Sequence, residues 1–254
     1  LAHGDYILRE ITAPDGFQKI LDIEFTITDE NKIHVFEITD ELTRVEIDKY
    51  DPSGNKLFGA IMQIINKNTG EIIHEWRTTD ETKVIEGLPH GDYILREITA
   101  PDGFQKILDI EFTITDEHKV HVFEVVDELT LTTIHKVDPY GNQLKGATLQ
   151  VYKIENGEEI FITEFVTGKD STDLRGLKPG QYVLREVKAP KGYLKAEDVH
   201  FTVTDAHEVV NVTMVDEIDR TVPTTGFNDV LPMIAGVGLV SIGTILYLKR
   251  KRNN

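Results

Sequence analysis

The chain contains the same segment three times, and this repetition constrains its fold more than any other feature. Residues 1–41 recur as residues 88–128 with five differences, and a diverged third copy occupies residues 177–217. The copies are therefore 87 and 89 residues apart. A period of this length suits a small domain better than a solenoid repeat, which usually spans about 20–50 residues. We predict the C-terminal half of a domain at 1–41 (module 1), complete domains at 42–128 (module 2) and 129–219 (module 3), and a different segment at 220–254.

Hydropathy within each module predicts β-strands. Apolar and polar residues alternate from Leu108 to Thr115, which is the period of a half-buried strand. Turn sequences such as DPSGN at 51–55 and DPYGN at 138–142 separate the strands, and no helical stripe occurs before residue 230. Several short strands in fewer than 90 residues indicate an all-β chain of tandem Ig-like β-sandwiches.

The same alternation directs three ionisable residues of each complete module toward its core. They are Lys49, Glu97 and Asp127 in module 2, and Lys136, Glu186 and Asp216 in module 3. Module 1 retains the corresponding Glu10 and Asp40, and we expect its lysine to lie upstream of Leu1. Charged groups are costly to bury unless they pair or react.

Two simpler interpretations of these residues remain open. The positions could lie at strand ends, where a lysine reaches water by extending its side chain, or they could form a buried salt bridge. The recurring spacing favours a shared role, because lysine and glutamate are 48 and then 50 residues apart, and lysine and aspartate 78 and then 80.

These residues belong to motifs that resemble CnaB-type domains, also called prealbumin-like or SpaA-like, of surface proteins and pili of Gram-positive bacteria. The first motif is K-x-D followed by a glycine and by L-x-G-A, and it starts at Lys49 and at Lys136. The second is G-x-Y-x-L-x-E-x-x-A-P-x-G-[FY], at 91–104 and 180–193. The third is a closing strand that ends at Asp127 and at Asp216. The resemblance covers residues 1–219 and implies prealbumin-like sandwiches. It also implies an isopeptide bond between the first-strand lysine and the last-strand aspartate, assisted by the glutamate.

The chemistry of such a bond is physically reasonable. Burial favours the neutral form of both an amine and a carboxylic acid, so the amine becomes nucleophilic and the acid loses its repelling charge. Glu97 and Glu186 would carry protons, the fold would supply proximity, and water would leave. Closing a loop of about 80 residues would contribute roughly 4 kcal/mol. Because this is one turnover on the protein's own side chains, we do not expect enzyme activity toward a substrate.

The chain ends in a three-part segment that differs from the modules. VPTTG at 222–226 precedes 19 uncharged residues at 230–248 and a tail at 249–254 that begins KRKR. Nineteen residues in a helix span about 28 Å, which is close to the thickness of a bilayer core, and the basic tail marks the cytoplasmic side. We therefore predict a single C-terminal transmembrane helix.

The pentapeptide resembles the LPxTG sorting signals recognised by sortases, with Val222 in place of leucine. The other matching residues are Pro223, Thr224, Thr225 and Gly226. The resemblance implies that a sortase cleaves between Thr225 and Gly226 and transfers the Thr225 carbonyl to an amine of a peptidoglycan precursor or of a pilin. The precursor would be held in the membrane before sorting, and the secreted product would be anchored to the cell wall.

Composition limits the remaining partners. Asp and Glu number 44 against 27 Lys and Arg, and the net charge of −17 makes nucleic acid an unfavourable partner. Without cysteine the chain has neither disulfides nor thiolate metal sites, and we expect no metal and no cofactor.

Three functions fit the sequence, which we interpret as the C-terminal part of a longer protein. The first is a wall-anchored stalk that presents an upstream region binding a host or surface ligand. The second is a minor or basal pilin. The third is the stalk of a wall-bound enzyme whose catalytic domain lies upstream.

Overall fold

The computed structural model describes residues 1–28 and 33–221, and the regular elements in these ranges are β-strands. Residues Leu1–Asp219 form one structural unit. The pentapeptide at 222–226, the predicted transmembrane helix at 230–248 and the basic tail lie outside the described residues. Within those residues there is no helix whose length and apolar character would let it cross a membrane.

Module 1 contributes a short antiparallel pair and the first contact with module 2. Its strands β1 (Gly4–Leu8) and β3 (Ile23–Ile27) pair antiparallel. Strand β2 (Phe17–Gln18) pairs with β4 (Glu41–Leu42), which leads into module 2. The first copy of the repeat therefore ends in a strand pair at the entrance to the second module.

Module 2 is a sandwich of two sheets. Its strands are β5 (Arg44–Tyr50), β6 (Ile61–Asn66), β7 (Ile72–Arg77), β8 (Lys83–Glu86), β9 (Gly91–Thr99), β10 (Ile110–Ile114) and β11 (Val120–Val126). One sheet has the order β10-β9-β6-β7, and the other has the order β11-β5-β8. The apolar faces of the two sheets form a single core between them.

Module 3 repeats this arrangement strand for strand. Its strands are β12 (Leu131–Val137), β13 (Thr148–Glu155), β14 (Glu158–Val166), β15 (Thr172–Arg175), β16 (Gly180–Lys188), β17 (Val199–Val203) and β18 (Val209–Val215). The sheets have the orders β14-β13-β16-β17 and β15-β12-β18. The prediction of an all-β chain with tandem sandwich domains is confirmed.

The first and last strands of each complete module are parallel neighbours. Strand β11 pairs with β5 so that Val125 stands opposite Lys49, and β18 pairs with β12 so that Met214 stands opposite Lys136. Alternating side chains of paired strands share a face. The aspartate two residues beyond each of these partners therefore points to the same side of the sheet as the lysine.

The core confirms the predicted alternation with one exception. Tyr93 is buried and stacks on Phe112 of the neighbouring strand, and its hydroxyl donates to Pro89 O at 2.8 Å. Leu108, which the alternation placed on the buried face, is 69% exposed, so that part of the prediction was wrong. The reason is that β10 begins to pair with β9 only at Ile110, and Leu108 precedes the strand.

Replacing Thr132 with valine should stabilise module 3. Thr132 is fully buried, and its Oγ1 has no hydrogen-bond partner among the described residues. The corresponding residue of module 2 is Val45, which is also fully buried. Removing the unsatisfied hydroxyl should raise the free energy of unfolding of module 3 by about 1 kcal/mol in calorimetry of the whole chain.

The neighbouring residue provides a control for this prediction. Thr133 Oγ1 donates to Asp173 Oδ1 at 2.8 Å on the exposed face, so Thr133→Val should give no stabilisation. A lower unfolding temperature for Thr132→Val than for the wild type would contradict the prediction.

Candidate functional site

Lys49, Glu97 and Asp127 meet inside the sandwich of module 2. Lys49 lies on β5, Asp127 follows β11 in the same sheet, and Glu97 reaches across from β9 in the facing sheet. Lys49 Nζ donates to Glu97 Oε2 at 2.9 Å and contacts Asp127 Oδ1. The three residues are 3%, 4% and 0% exposed, so bulk water does not screen the group.

Module 3 contains the same cluster. Lys136 Nζ contacts Asp216 Oδ1 and lies 3.2 Å from Glu186 Oε1, although the latter contact lacks the alignment of a hydrogen bond. All three residues are at most 1% exposed. The interpretation that the lysines reach water at strand ends therefore does not apply to these two modules.

A β-bulge and a backbone hydrogen bond hold each glutamate. The pairing of β6 with β9 shifts register directly after Glu97, and the pairing of β13 with β16 shifts directly after Glu186. Bulges locally redirect side chains and are common beside functional sites. The backbone N–H of Ile107 donates to Glu97 Oε2 at 3.0 Å, and that of Ala196 donates to Glu186 Oε2 at 2.8 Å. One oxygen of each glutamate is thus fixed, and the other remains available.

Each aspartate is held by its backbone next to the lysine. The N–H of Asp127 donates to Tyr50 O at 3.0 Å, and the N–H of Asp216 donates to Val137 O at 2.9 Å. Both acceptors directly follow the lysine of the cluster in the chain. These bonds extend the parallel pairing by one step and bring the aspartate side chain to the lysine amine.

Burial makes both aspartates weaker acids than an exposed aspartate. It raises the pKa of Asp127 to about 7, against the opposing charge and hydrogen bond of Lys49 and with a smaller upward effect of Glu97. It raises the pKa of Asp216 to about 6, where the hydrogen bond from Lys136 is the largest opposing effect. A proton moving from the ammonium to the carboxylate converts each ion pair into a neutral amine and a neutral acid without any proton from solvent.

The second oxygen of each aspartate has no hydrogen-bond partner in the described part of the chain. Asp127 Oδ2 and Asp216 Oδ2 are buried without a hydrogen bond, and so are Glu97 Oε1 and Glu186 Oε1, although Glu186 Oε1 lies within ion-pair distance of Lys136 Nζ. An ionised carboxylate left in this way is costly. Amide formation would remove one of the two aspartate oxygens as water and relieve this cost, so the arrangement suits amide formation better than a permanent salt bridge.

Module 1 shows part of the same site. Glu10 Oε2 accepts the N–H of Ile20 at 3.0 Å, which matches the bonds of the other two glutamates. Within the described residues, no lysine forms an ion pair with Glu10 or Asp40. This module thus keeps the positioning of its glutamate without the complete cluster.

Sequence reasoning identified the three ionisable residues and missed the groups that orient them. The N–H donors lie ten residues after each glutamate in all three copies, at Ile20, Ile107 and Ala196, and this constant spacing was the available signal. The bulges carry no comparable sequence signature. Groups of three or more His, Asp or Glu side chains that could hold a metal ion are absent from the described residues.

The fold and the repeated cluster define a class of tandem prealbumin-like sandwich domains with a buried Lys-Glu-Asp group. The family model SpaA, described as a prealbumin-like fold domain, matches residues 43–128 and 131–218. The chain therefore belongs to the SpaA prealbumin-like domain family. A comparison with curated proteins gave no match.

Several solved structures are similar to this chain. The Bacillus anthracis TIE protein is 24% identical with a TM-score of 0.41, and the match covers 79% of this chain and 38% of that protein. A streptococcal ancillary pilin is 22% identical with a TM-score of 0.34, covering 85% of this chain and 76% of that one. The shaft pilin SpaA from Lactobacillus rhamnosus GG is 13% identical with a TM-score of 0.33, covering 71% and 99%.

Proposed function

We propose that modules 2 and 3 each form an internal amide bond, from Lys49 to Asp127 and from Lys136 to Asp216, and that these cross-linked modules serve as the stalk of a Gram-positive surface protein. The observation that carries the proposal is the buried cluster of lysine, glutamate and aspartate, which recurs between the first and last strands of both complete modules.

The reaction balances within the cluster. The neutral Nζ of lysine attacks Cγ of the neutral aspartic acid, a C–N bond forms, and the C–OH bond breaks. The glutamate takes a proton from the attacking nitrogen and gives it to the departing hydroxyl, which leaves as water. The fixed contact between nitrogen and carboxyl replaces the bimolecular encounter that makes amide formation slow in water. The glutamate ends in its original protonation state.

Proteolytic digestion of the purified chain tests the bond directly. Tandem mass spectrometry should recover a branched peptide in which the Lys49 side chain is joined to Asp127 with loss of one water, and a second that joins Lys136 to Asp216. Recovery of only linear peptides containing these residues would overturn the proposed bond.

The bond would give the modules mechanical continuity. A load that enters a module along its first strand would pass through the lysine side chain into the end of the last strand. The residues between them, 50–126 in module 2 and 137–215 in module 3, would not be stretched. Such a module suits a structure that must stay extended under tension, which is the property expected of a stalk.

The proposal includes covalent anchoring at the C-terminal segment. A sortase would cleave after Thr225 and transfer its carbonyl to an amine of a peptidoglycan precursor or of a pilin, and the apolar span would hold the precursor at the membrane until then. The secreted, wall-anchored stalk would need neither a cofactor nor a metal ion. This part rests on the resemblance of VPTTG, the apolar span and the basic tail to sorting signals.

Substitution of Thr225 by alanine should abolish this anchoring. In cells that express the full protein, Thr225→Ala should move nearly all of the product from the wall fraction to the membrane and medium. Thr224→Ala is the matched control, because the corresponding position of the LPxTG pattern is variable, and it should leave the wall fraction unchanged. Wall attachment that survives Thr225→Ala would exclude cleavage at this site.

A further inference from the structure

The junctions between consecutive modules are built in the same way. A loop of sequence APDGFQK, at residues 13–19 of module 1 and 100–106 of module 2, contacts the next module in both cases. We call this segment the coupling loop. Its last residue donates a backbone hydrogen bond to the turn between the last two strands of the following module, from Lys19 N to Asp116 O at 2.7 Å and from Lys106 N to Asp205 O at 2.6 Å.

The side chain of the same lysine strengthens this contact. Lys19 Nζ pairs with Asp116 Oδ1 at 2.9 Å, and Lys106 Nζ pairs with Asp205 Oδ1 at 3.2 Å. Each lysine thus binds one aspartate through both its backbone and its ammonium group. Two separate contacts to one residue restrict rotation about the junction more than a single contact would.

A buried glutamine lies beside each lysine. Gln18 is 3% exposed, its Oε1 accepts Lys119 N at 2.8 Å, and its Nε2 donates to Leu42 O at 2.8 Å. Gln105 is 7% exposed, and its Nε2 donates to Glu208 O at 2.7 Å. Each glutamine therefore binds backbone atoms of the last turn of the next module. These bonds fix the relative position of the two modules and depend little on the charge of any side chain.

A buried threonine connects the two modules at the linker. Thr130 N donates to Gly103 O of the coupling loop at 2.9 Å, and Thr130 O accepts Gly176 N of module 3 at 3.0 Å. Its hydroxyl donates to Leu177 O at 2.6 Å. Thr43 makes the corresponding bonds at the first junction, to Gly16, Gly87 and Leu88.

The backbones at each junction approach closely. A Cβ added to Gly103 would lie 2.8 Å from Gly176 O, and a Cβ added to Gly16 would lie 3.0 Å from Gly87 O. Contacts under 3.0 Å are essentially unknown for real Cβ atoms. A side chain at Gly103 would force the two backbones apart, and one at Gly16 would require its neighbour to shift by a few tenths of an ångström, so the junction is a fitted interface as well as a set of hydrogen bonds.

The third copy of the loop departs from this pattern. Its sequence is APKGYLK, so Leu194 replaces the glutamine and is 50% exposed. Gly192 has the same left-handed backbone as Gly103, with φ of +91° and +87°, but nothing in the described part of the chain lies within 4 Å of its added Cβ. The third copy, which is followed by the different segment at 220–254, thus lacks the glutamine that makes the buried coupling contact, although it keeps the glycine and the lysine as Gly192 and Lys195.

We propose that the coupling loop is a recognition element for a following module of the same type, and that it holds consecutive modules in one fixed orientation. The interface joins one end of a module to the opposite end of the next, so it builds a linear array, and the loop of module 3 lacks the glutamine contact that would extend it. This proposal extends the proposed stalk function and rests on it.

The coupling loop lies outside the path along which a cross-linked stalk would carry tension. The loop of module 2 lies within residues 50–126, which the amide bond would exclude from the load. Tension would pass from Asp127 through residues 128–130 into module 3, while the loop stands beside that linker. The coupling loop thus resists bending of the junction without itself being stretched.

Spin labels on the full chain in mild detergent can test the fixed orientation. The chain contains no cysteine, so Glu71→Cys and Glu158→Cys introduce two unique labels at exposed positions of modules 2 and 3. Pulsed EPR should give a single narrow distance distribution for this pair. Gly103→Ala should broaden the distribution, and amide exchange at Lys106 should become at least tenfold faster.

Gly192→Ala is the matched control, because it introduces the same backbone strain without the clash at a junction. It should leave both the distances and the exchange unchanged. A broad distribution without Gly103→Ala, or equal effects of the two substitutions, would overturn the proposal. Exchange of the core strands of modules 2 and 3 in the same samples shows whether each variant is folded.

The intact mass of these samples separates the two proposals. If Gly103→Ala still loses one water for each amide bond but gives a broadened distance distribution, the rigidity of the junction lies in the coupling loop. An unmodified mass with a narrow distribution would sink the amide bond and leave the coupling intact.

Discussion

Glu97→Gln should leave Lys49 and Asp127 unlinked and lower the free energy of unfolding of module 2 by about 4 kcal/mol. The expected size follows from the closure entropy of a loop between residues 78 apart, which the unfolded chain would regain. Glutamine keeps the shape of the side chain and can still accept the Ile107 N–H, but it does not exchange protons at neutral pH. The loss of stability would therefore report the bond and not a missing contact.

The only tryptophan makes this measurement specific to module 2. Trp76 lies on β7 and packs against the core of that module, so its fluorescence during denaturation by guanidinium follows module 2 alone. Glu186→Gln should unlink module 3 and leave the Trp76 transition where it is in the wild type. Equal midpoints for the wild type and Glu97→Gln would contradict the account.

Pulling the chain by its ends should show a second large effect. In the wild type neither complete module should lengthen, because the proposed amide bond would bypass the residues between its two ends. In Glu97→Gln module 2 should unfold in one step, with a gain in contour length on the order of 260 Å for 78 residues. The double variant Glu97→Gln/Glu186→Gln should show two such steps.

Single-molecule force spectroscopy can resolve steps of this size. The variant with one substitution provides its own control, because module 3 should remain inextensible in the same molecule. Steps of similar length from the wild-type chain would show that its strands separate under load, and the stalk could not act as described.

Sequence periodicity located the inward-facing residues because a strand alternates its side chains regardless of its partners. Lys49, Glu97 and Asp127 each share a face with apolar neighbours, and the structure buries all three together. Periodicity fails where a strand has not yet begun to pair, as at Leu108. It is also silent on which strands are neighbours, so the parallel pairing of β5 with β11 that joins lysine to aspartate could not be derived from it.

The junctions show another limit of the sequence. Gln105 contacts Glu208, which is 103 residues away, and no local pattern specifies such a contact. The signal was present only as a comparison between copies: the loop is identical in the first two and altered in the third. The repeat itself therefore carried information that strand patterning and motifs did not.

The intact mass of the purified, fully denatured chain tests the amide bonds most directly. We predict a mass lower than that of the unmodified sequence by two waters, one for each complete module, with one water restored in Glu97→Gln or in Glu186→Gln. A wild-type mass equal to that of the unmodified sequence would show that the buried clusters are ion pairs only.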